Sequence, residues 1–341
     1  MAGWIGSSEV WYTLGPASID RESPLFAAGA TGVRLTFSFG TPQLQLERAH
    51  GSKAAARRVD RSCTVVADLS GEKFRLGTFA NEHSIEVSAG TPVRFVTAQT
   101  ANPTQQEVVL PVPNPRFVEG LRKGHVITVG DGAAILEVTG AAGEAVVAQA
   151  QADGVINHTR GLTVQGSDFV PVALTDKDIE DLQHVLKHEA YDALAISFVS
   201  SIEPLRRVKA IAKSLGRSIP IVAKIETAAG VAAARSIAQE ADCLMAARGD
   251  LALAIPWVEL PAAVAEIQTA ASETSTPWIL ATQVMEGLER FAIPTRAEIC
   301  DLAHWAERGC AGVLLSYETA FGKRPVAAVN ATSRILKRWS R

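Results

Sequence analysis

In the stretch PIVAKIE, Lys224 and Glu226 stand two residues apart within an apolar run, so in an extended segment both project from the same side. GVRLTFS alternates Arg34, Thr36 and Ser38 with Val33, Leu35 and Phe37 in the same way. Other apolar runs close on polar residues: Asp68 in CTVVADL, Arg248 and Asp250 after DCLMAA, Thr282 after PWILA, Ser316 and Glu318 after AGVLL. The carboxylates of Glu226 and Asp250 could together hold a hard divalent cation such as Mg2+ or Mn2+, with water and substrate oxygens in the remaining positions. Arg34, Arg75 and Lys224 would then meet an anionic substrate, with phosphate the best match. That set suits phosphoryl transfer, which depends on positioning and on stabilising oxygen charge, and it also suits metal-assisted stabilisation of an enolate.

Each of these residues alone reads equally well as a surface salt bridge or a helix cap. They form a site only if the chain brings them to one end of one structure. From about residue 168, short apolar runs alternate with helical periodicity, the pattern of strand and helix units around a parallel sheet. Five strands are predicted at 192–198, 220–226, 242–248, 277–283 and 311–317, separated by amphipathic segments such as DKDIEDLQHVLKHE and RAEICDLAHWAERG. Thr175 and Thr295 are predicted N-caps, and Gly216 and Gly309 sit where C-terminal glycines belong. SEVWYTL, GVRLTFS and CTVVADL supply three earlier strands, the first two joined by a short, poorly periodic helix. Eight such strands predict an α/β fold, a (β/α)8 TIM barrel, whose catalytic groups lie at the C-terminal ends of the strands.

Residues 76–166 differ. They are rich in Val, Thr and Gly, carry glycine turns such as VGDGAAILEV, and lack helical periodicity. They predict a small all-β domain inserted after strand 3, dividing the barrel into residues 1–75 and 167–341. Without its ~90 residues the remainder approaches the ~250 of such barrels.

The 341 residues carry a formal charge of −3 and no block of like charge, which excludes a general attraction to nucleic acid or anionic lipid. The four cysteines, Cys63, Cys243, Cys300 and Cys310, form no CxxC pair, so a reducing cytoplasm is expected. No run of signal or membrane-spanning length appears, and neither export nor a membrane span is expected.

At the same residues the sequence resembles the pyruvate kinase family. The segments TLGPAS (13–18), GVRLTFSFG (32–40), LTDKDIEDL (174–182), ISFV (196–199), AKIETAAGV (223–231), MAARGDLALAIP (245–256), ATQVMEGL (281–288), PTRAEICDLA (294–303) and LLSYETAFGKRPVAAV (314–329) occur in family order across nearly the whole chain. AKIE, ARGDL, ATQ and PTRAE in combination are specific. The resemblance implies that Glu226 and Asp250 bind Mg2+, and that Lys224, assisted by Arg34, stabilises the phosphoryl group passing from phosphoenolpyruvate to ADP. It implies that backbone amides at Ala247, Arg248 and Gly249 and the Thr282 hydroxyl hold the substrate carboxylate, with Ser197 also on the substrate side. Thr282 would relay a proton to the enolate carbon, aided by Ser316 and Glu318. Pro16, Arg34, Arg75 and Arg160 would contact the nucleotide.

The departures from the family pattern carry expectations too. The sequence ends near RILKRWSR without the family's usual C-terminal regulatory domain, so sugar-phosphate control through that domain is not expected, while a homodimer through the barrel remains available. Phe39 replaces the usual histidine after Ser38, Phe321 replaces a lysine after ETA, and Arg160 stands where a lysine is common. These changes leave a second reading open: a specialised paralogue using the same metal and enolate chemistry on a pyruvate-like or phosphoenolpyruvate-like compound, as a lyase or with an altered acceptor. In ADLSGEKFRLG (67–77), Leu69 and Lys73 are the residues carried by members that work without potassium. Lys73, paired with Asp68 or a nearby acid, is therefore expected to replace K+.

Overall fold

The computed structural model describes residues 4–340 apart from 81–82 and 167–168. Eight parallel strands close into a barrel: β1 (Glu9–Thr13), β2 (Gly32–Thr36), β3 (Thr64–Asp68), β4 (Ala193–Ile196), β5 (Ile221–Ile225), β6 (Cys243–Ala247), β7 (Trp278–Ala281) and β8 (Gly312–Leu315), with β1 pairing both β2 and β8. Every residue of β4 to β8 is buried, because one face packs on helices and the other fills the barrel. Trp11, Val66, Val222, Met245, Ile279 and Leu314 belong to one buried cluster, and the helix-packed faces form a second, larger one.

The outer layer comprises α1 (Glu22–Ala28), α2 (Pro42–Arg57), α3 (Asp176–Lys187), α4 (Glu203–Ser214), α5 (Ala234–Glu240), α6 (Leu260–Thr274), α7 (Arg296–Glu307) and α8 (Pro325–Trp339). Thr175 and Thr295 each begin a helix with a reciprocal capping box, to Asp178 and Glu298 respectively. Gly216 and Gly309 take positive φ just beyond α4 and α7. The segment AGVAAARSIAQE is split at Ala233 into a short helix, Ala228–Ala232, and α5. The strand predicted to reach Arg248 ends at Ala247, and Arg248–Ala254 turns at once into a short helix. Gly249 and Asp250 are poor strand residues, and Asp250 in the first turn suits the positive end of the helix dipole.

After β3 the chain leaves the barrel and builds a six-stranded sheet in the order Leu162–Val164, Val126–Val129, Ala134–Ala142, Ala145–Ala150, Pro92–Thr97 and Val108–Val112. Phe95, Phe117, Leu110, Ile127 and Leu136 fill a core of its own. Among the described residues of the insertion, one six-residue helix, Pro115–Gly120, interrupts the strands; Asn114 caps it and Phe117 anchors it, a signal too short to show as periodicity. Ser167, where the second part of the barrel was placed, lies outside the described residues. No described helix is long and apolar enough to cross a membrane.

Candidate active site

The strand ends converge. Arg34, Lys224, Glu226, Ala247, Gly249, Asp250, Thr282 and Ser316, from five different strands or the residues just beyond them, line one cavity of about 220 Å³ at the C-terminal mouth of the barrel. Lys73 reaches it from the segment leading to the inserted sheet, and Asp131 reaches it from the sheet itself. The side chains alternate along β5, which turns Lys224 inward.

Lys224 is 8% exposed and held on three sides. Its Nζ donates to Ser197 Oγ at 2.7 Å and lies 3.2 Å from Asp68 Oδ1 and 3.3 Å from Glu226 Oε1. Ser197 Oγ in turn donates to the Leu69 carbonyl at 2.7 Å, which fixes the hydroxyl as an acceptor for the lysine. Burial pushes the Lys224 pKa down, but the Asp68 and Glu226 carboxylates overcome this and raise it above the ordinary lysine value. The group therefore stays an ammonium.

Glu226 is buried, and its Oε2 accepts the Phe198 N–H at 2.8 Å. Phe198 holds φ of +54°, an uncommon conformation for a bulky residue, and this aims its amide at the carboxylate. Burial raises the Glu226 carboxyl above its usual range, Lys224 opposes the shift, and the charge of Asp250 adds to it. A cation between Glu226 and Asp250 would relieve that repulsion. Among the described residues no group of three or more His, Cys, Asp or Glu could hold a metal. Glu226 and Asp250 would offer two carboxylates beside an open cavity, a donor set that fits Mg2+, an ion that keeps waters and takes substrate oxygens.

Thr282 sits at φ +73° and Gln283 at +53°. A β-branched residue at positive φ is strained by about 1–3 kcal/mol and persists only where its surroundings hold it. Arg248 supplies the hold. Its Nε and Nη2 donate to the Thr282 carbonyl at 3.2 and 2.9 Å, Nη2 also to the Gln283 carbonyl at 3.0 Å, and Nη1 to Asp301 Oδ2 at 2.6 Å. The Arg248 side chain is therefore committed to the loop after β7, and only its backbone N–H, at the start of the short helix, remains for a ligand.

Several of the expected site residues lie outside the cavity or take a particular partner. Glu318 does not face the cavity. It is buried, Oε1 accepts the Val284 and Met285 amides at 2.9 and 3.0 Å, and Oε2 accepts the Ser316 amide at 2.9 Å. A carboxylate ending a strand looks like a proton relay in sequence, but three amides claim it as a brace between the loops after β7 and β8. Lys73 pairs with Asp250, not with Asp68, because Arg34 (Nε to Oδ2, 3.1 Å) and Lys224 already occupy Asp68. Asp68 and Ser197 lie buried behind the cavity wall. Arg75, exposed, bridges through its backbone to Gly161 and reaches the Thr159 carbonyl at 3.4 Å; it does not line the cavity. Arg160, beside Gly130, and Pro16, exposed after β1, also lie outside it. Sequence reasoning missed Asp131, whose signal was the VGDG turn; Gly130 and Gly132 adopt positive φ there.

A buried ammonium, two carboxylates and a strained threonine thus meet at the C-terminal mouth of the barrel, the end where the catalytic groups of such barrels lie. A family model described as "Pyruvate kinase, barrel domain" matches residues 6–329. The pyruvate kinase of Corynebacterium efficiens is 34% identical over 327 residues, covering 95% of this chain and 68% of that protein. That of Mycobacterium tuberculosis is 32% identical over 326 residues (95% and 68%), and that of Thermotoga maritima 29% over 333 (97% and 70%). The chain belongs to the pyruvate kinase family and is, by class, a pyruvate kinase-type phosphotransferase.

Proposed function

We propose that this chain transfers the phosphoryl group of phosphoenolpyruvate to ADP, forming pyruvate and ATP, with Mg2+ and without a requirement for K+. The observation that carries the reading is the Lys224 ammonium, buried and fixed by Asp68, Ser197 and Glu226 at the wall of the cavity that Arg34 and Asp250 also line. Lys224 and Arg34 place fixed positive charge where phosphoryl oxygens gain negative charge, a placement that costs no reorganisation at the moment of transfer. Mg2+, held by Glu226 and Asp250, would supply further neutralisation of carboxylate, enol and phosphoryl oxygens. Backbone N–H groups at Arg248 and Gly249 and the Thr282 hydroxyl would hold the substrate carboxylate. Thr282, beside Ser316, would pass the proton to the enolate carbon, while Glu318 positions both loops.

Independence from K+ is supported by Lys73, whose ammonium lies within the acid set, and by Leu69, a fully buried residue with no side-chain oxygen to offer a cation. The same reading sets the protein in the cytoplasm, where its unpaired cysteines stay reduced, and allows a dimer through exposed barrel residues such as Phe291 and Ile293. Arg75 and Arg160 would reach the nucleotide on its approach along the inserted sheet, with Pro16 across the mouth.

A second reading, in which the acceptor is altered, is favoured by Phe39 and Phe321, which are 62% and 59% exposed. Phosphorus NMR of phosphoenolpyruvate, ADP and Mg2+ in potassium-free buffer separates the two. The first reading predicts loss of the phosphoenolpyruvate signal with matching growth of ATP. No nucleoside triphosphate from any nucleoside diphosphate, alongside intact Mg2+ and oxalate binding, would replace it with the second.

A further inference from the structure

Beside the site lies a larger cavity of about 600 Å³, and the two share Gly249, Thr282 and Asp131 as a common wall. Beyond that wall the chemistry changes. Among the described residues, the one basic residue lining the second cavity, Arg248, is already bonded to Thr282, Gln283 and Asp301. Asp131 and Glu286 both line it, and among the described residues no hydrogen bond or ion pair engages either carboxylate. Burial raises the Glu286 carboxyl above its ordinary range, and the charges of Glu318, Glu298 and Asp131 raise it further, so the local potential is negative. Trp257, 76% exposed, and Tyr317, 52% exposed, add aromatic faces. A lining of this kind repels phosphate and attracts an organic cation with an apolar stem, through charge and through the ring faces.

We propose that this second cavity is a subsite for a substituent on C3 of the substrate. The enzyme would then accept 2-oxo acids, and their enol phosphates, that extend beyond three carbons and end in a cationic, donor-rich group such as a guanidinium. The inference rests on the phosphoryl-transfer reading above, which sets the carboxylate at Gly249 and Thr282 and the enol oxygen toward Lys224; a substituent leaving past Thr282 enters the second cavity. The reaction balance is unchanged. The bond from phosphorus to the enol oxygen breaks, phosphorus bonds to a terminal oxygen of the nucleoside diphosphate, and C3 gains one proton. C3 needs only one hydrogen fewer than in phosphoenolpyruvate to carry the extension.

Calorimetry in Mg2+ tests this with pyruvate, 2-oxohexanoate, 5-guanidino-2-oxopentanoate and 2-oxoadipate as probes, and with oxalate as a control for the metal site. The guanidino acid should bind at least tenfold tighter than pyruvate, 2-oxohexanoate should fall between them, and the dianionic 2-oxoadipate should bind most weakly. Glu286→Gln should remove most of the advantage of the guanidino acid over 2-oxohexanoate while leaving pyruvate unchanged. Trp257→Ala, at an exposed position that folding does not need, should weaken both extended acids. If pyruvate binds but the guanidino acid binds no tighter, or if its advantage survives both substitutions, the subsite is overturned and the phosphoryl-transfer reading stands. If pyruvate and oxalate also fail to bind, both are overturned.

Discussion

Lys73 Nζ lies 2.8 Å from Asp250 Oδ1 and 3.1 Å from Oδ2, joining the segment that enters the inserted sheet to the short helix after β6. One ammonium thus sits on a carboxylate that the proposed function assigns to Mg2+. In the proposed function, a fixed cation there balances the acid set without a monovalent ion. Activity should therefore stay flat when KCl replaces a tetraalkylammonium salt at constant ionic strength. Lys73→Glu should lower activity at least tenfold and make the remainder rise with KCl. Activation of the unmodified protein by KCl would contradict the assignment.

Arg248 holds Thr282 in its strained conformation from a distance. Arg248→Met removes its bonds to the Thr282 and Gln283 carbonyls and frees Thr282 to relax. The expected result is a fall in kcat of about 10²-fold, the scale of an ~1 Å misplacement of a reacting group, with a smaller change in Mg2+ affinity. Steady-state kinetics together with metal titration would show the split; equal losses in both would mean that Arg248 supports the whole mouth of the barrel.

Much of this was legible in the sequence because barrel strands are apolar almost throughout, so Lys224 and Glu226 in PIVAKIE stand out as inward-facing exceptions. The capping boxes at Thr175 and Thr295 were equally readable, since they are local. Partner choice was not. Glu318 is committed to the amides of Val284 and Met285, more than 30 residues away, as well as to that of nearby Ser316, and Lys73 is committed to Asp250, 177 residues away, because Arg34 and Lys224 already occupy Asp68. Such competition depends on three-dimensional proximity. The place of Arg75 was not legible either: it stands beside the site in sequence, but its backbone pairs with Gly161 and it does not line the cavity.

Alkaline pH should destabilise the protein before it inactivates Lys224. Burial pushes the thiols of Cys63 and Cys310 up to about 12 and Cys243 well above its ordinary value of 9.0, and raises the phenols of Tyr12 and Tyr191. Above pH 9 the unfolded chain releases protons that the folded chain retains, so stability falls as pH rises. Thermal melts between pH 8 and 11 should show a steadily falling Tm, and Cys63→Ser should flatten the slope. A Tm independent of pH over that range would mean the thiols and phenols are not buried as described.

The nucleotide side offers a gain of function. Phe321 is exposed after β8, so Phe321→Lys should leave the fold intact and add a positive charge at the mouth. The KM for ADP should fall several-fold with kcat little changed, as measured by initial rates at saturating phosphoenolpyruvate. An unchanged KM would place the acceptor elsewhere.

The proposed function rests on Lys224, fixed by Asp68, Ser197 and Glu226, stabilising a phosphoryl group in transfer. Pyruvate formation from phosphoenolpyruvate and ADP in Mg2+, compared between the unmodified protein and Lys224→Met, tests it most directly. The expected result is a loss of about 10²–10³-fold in kcat, the scale for removing one preorganised electrostatic group, with phosphoenolpyruvate KM changed far less. A Lys224→Met protein that retains full kcat would contradict it.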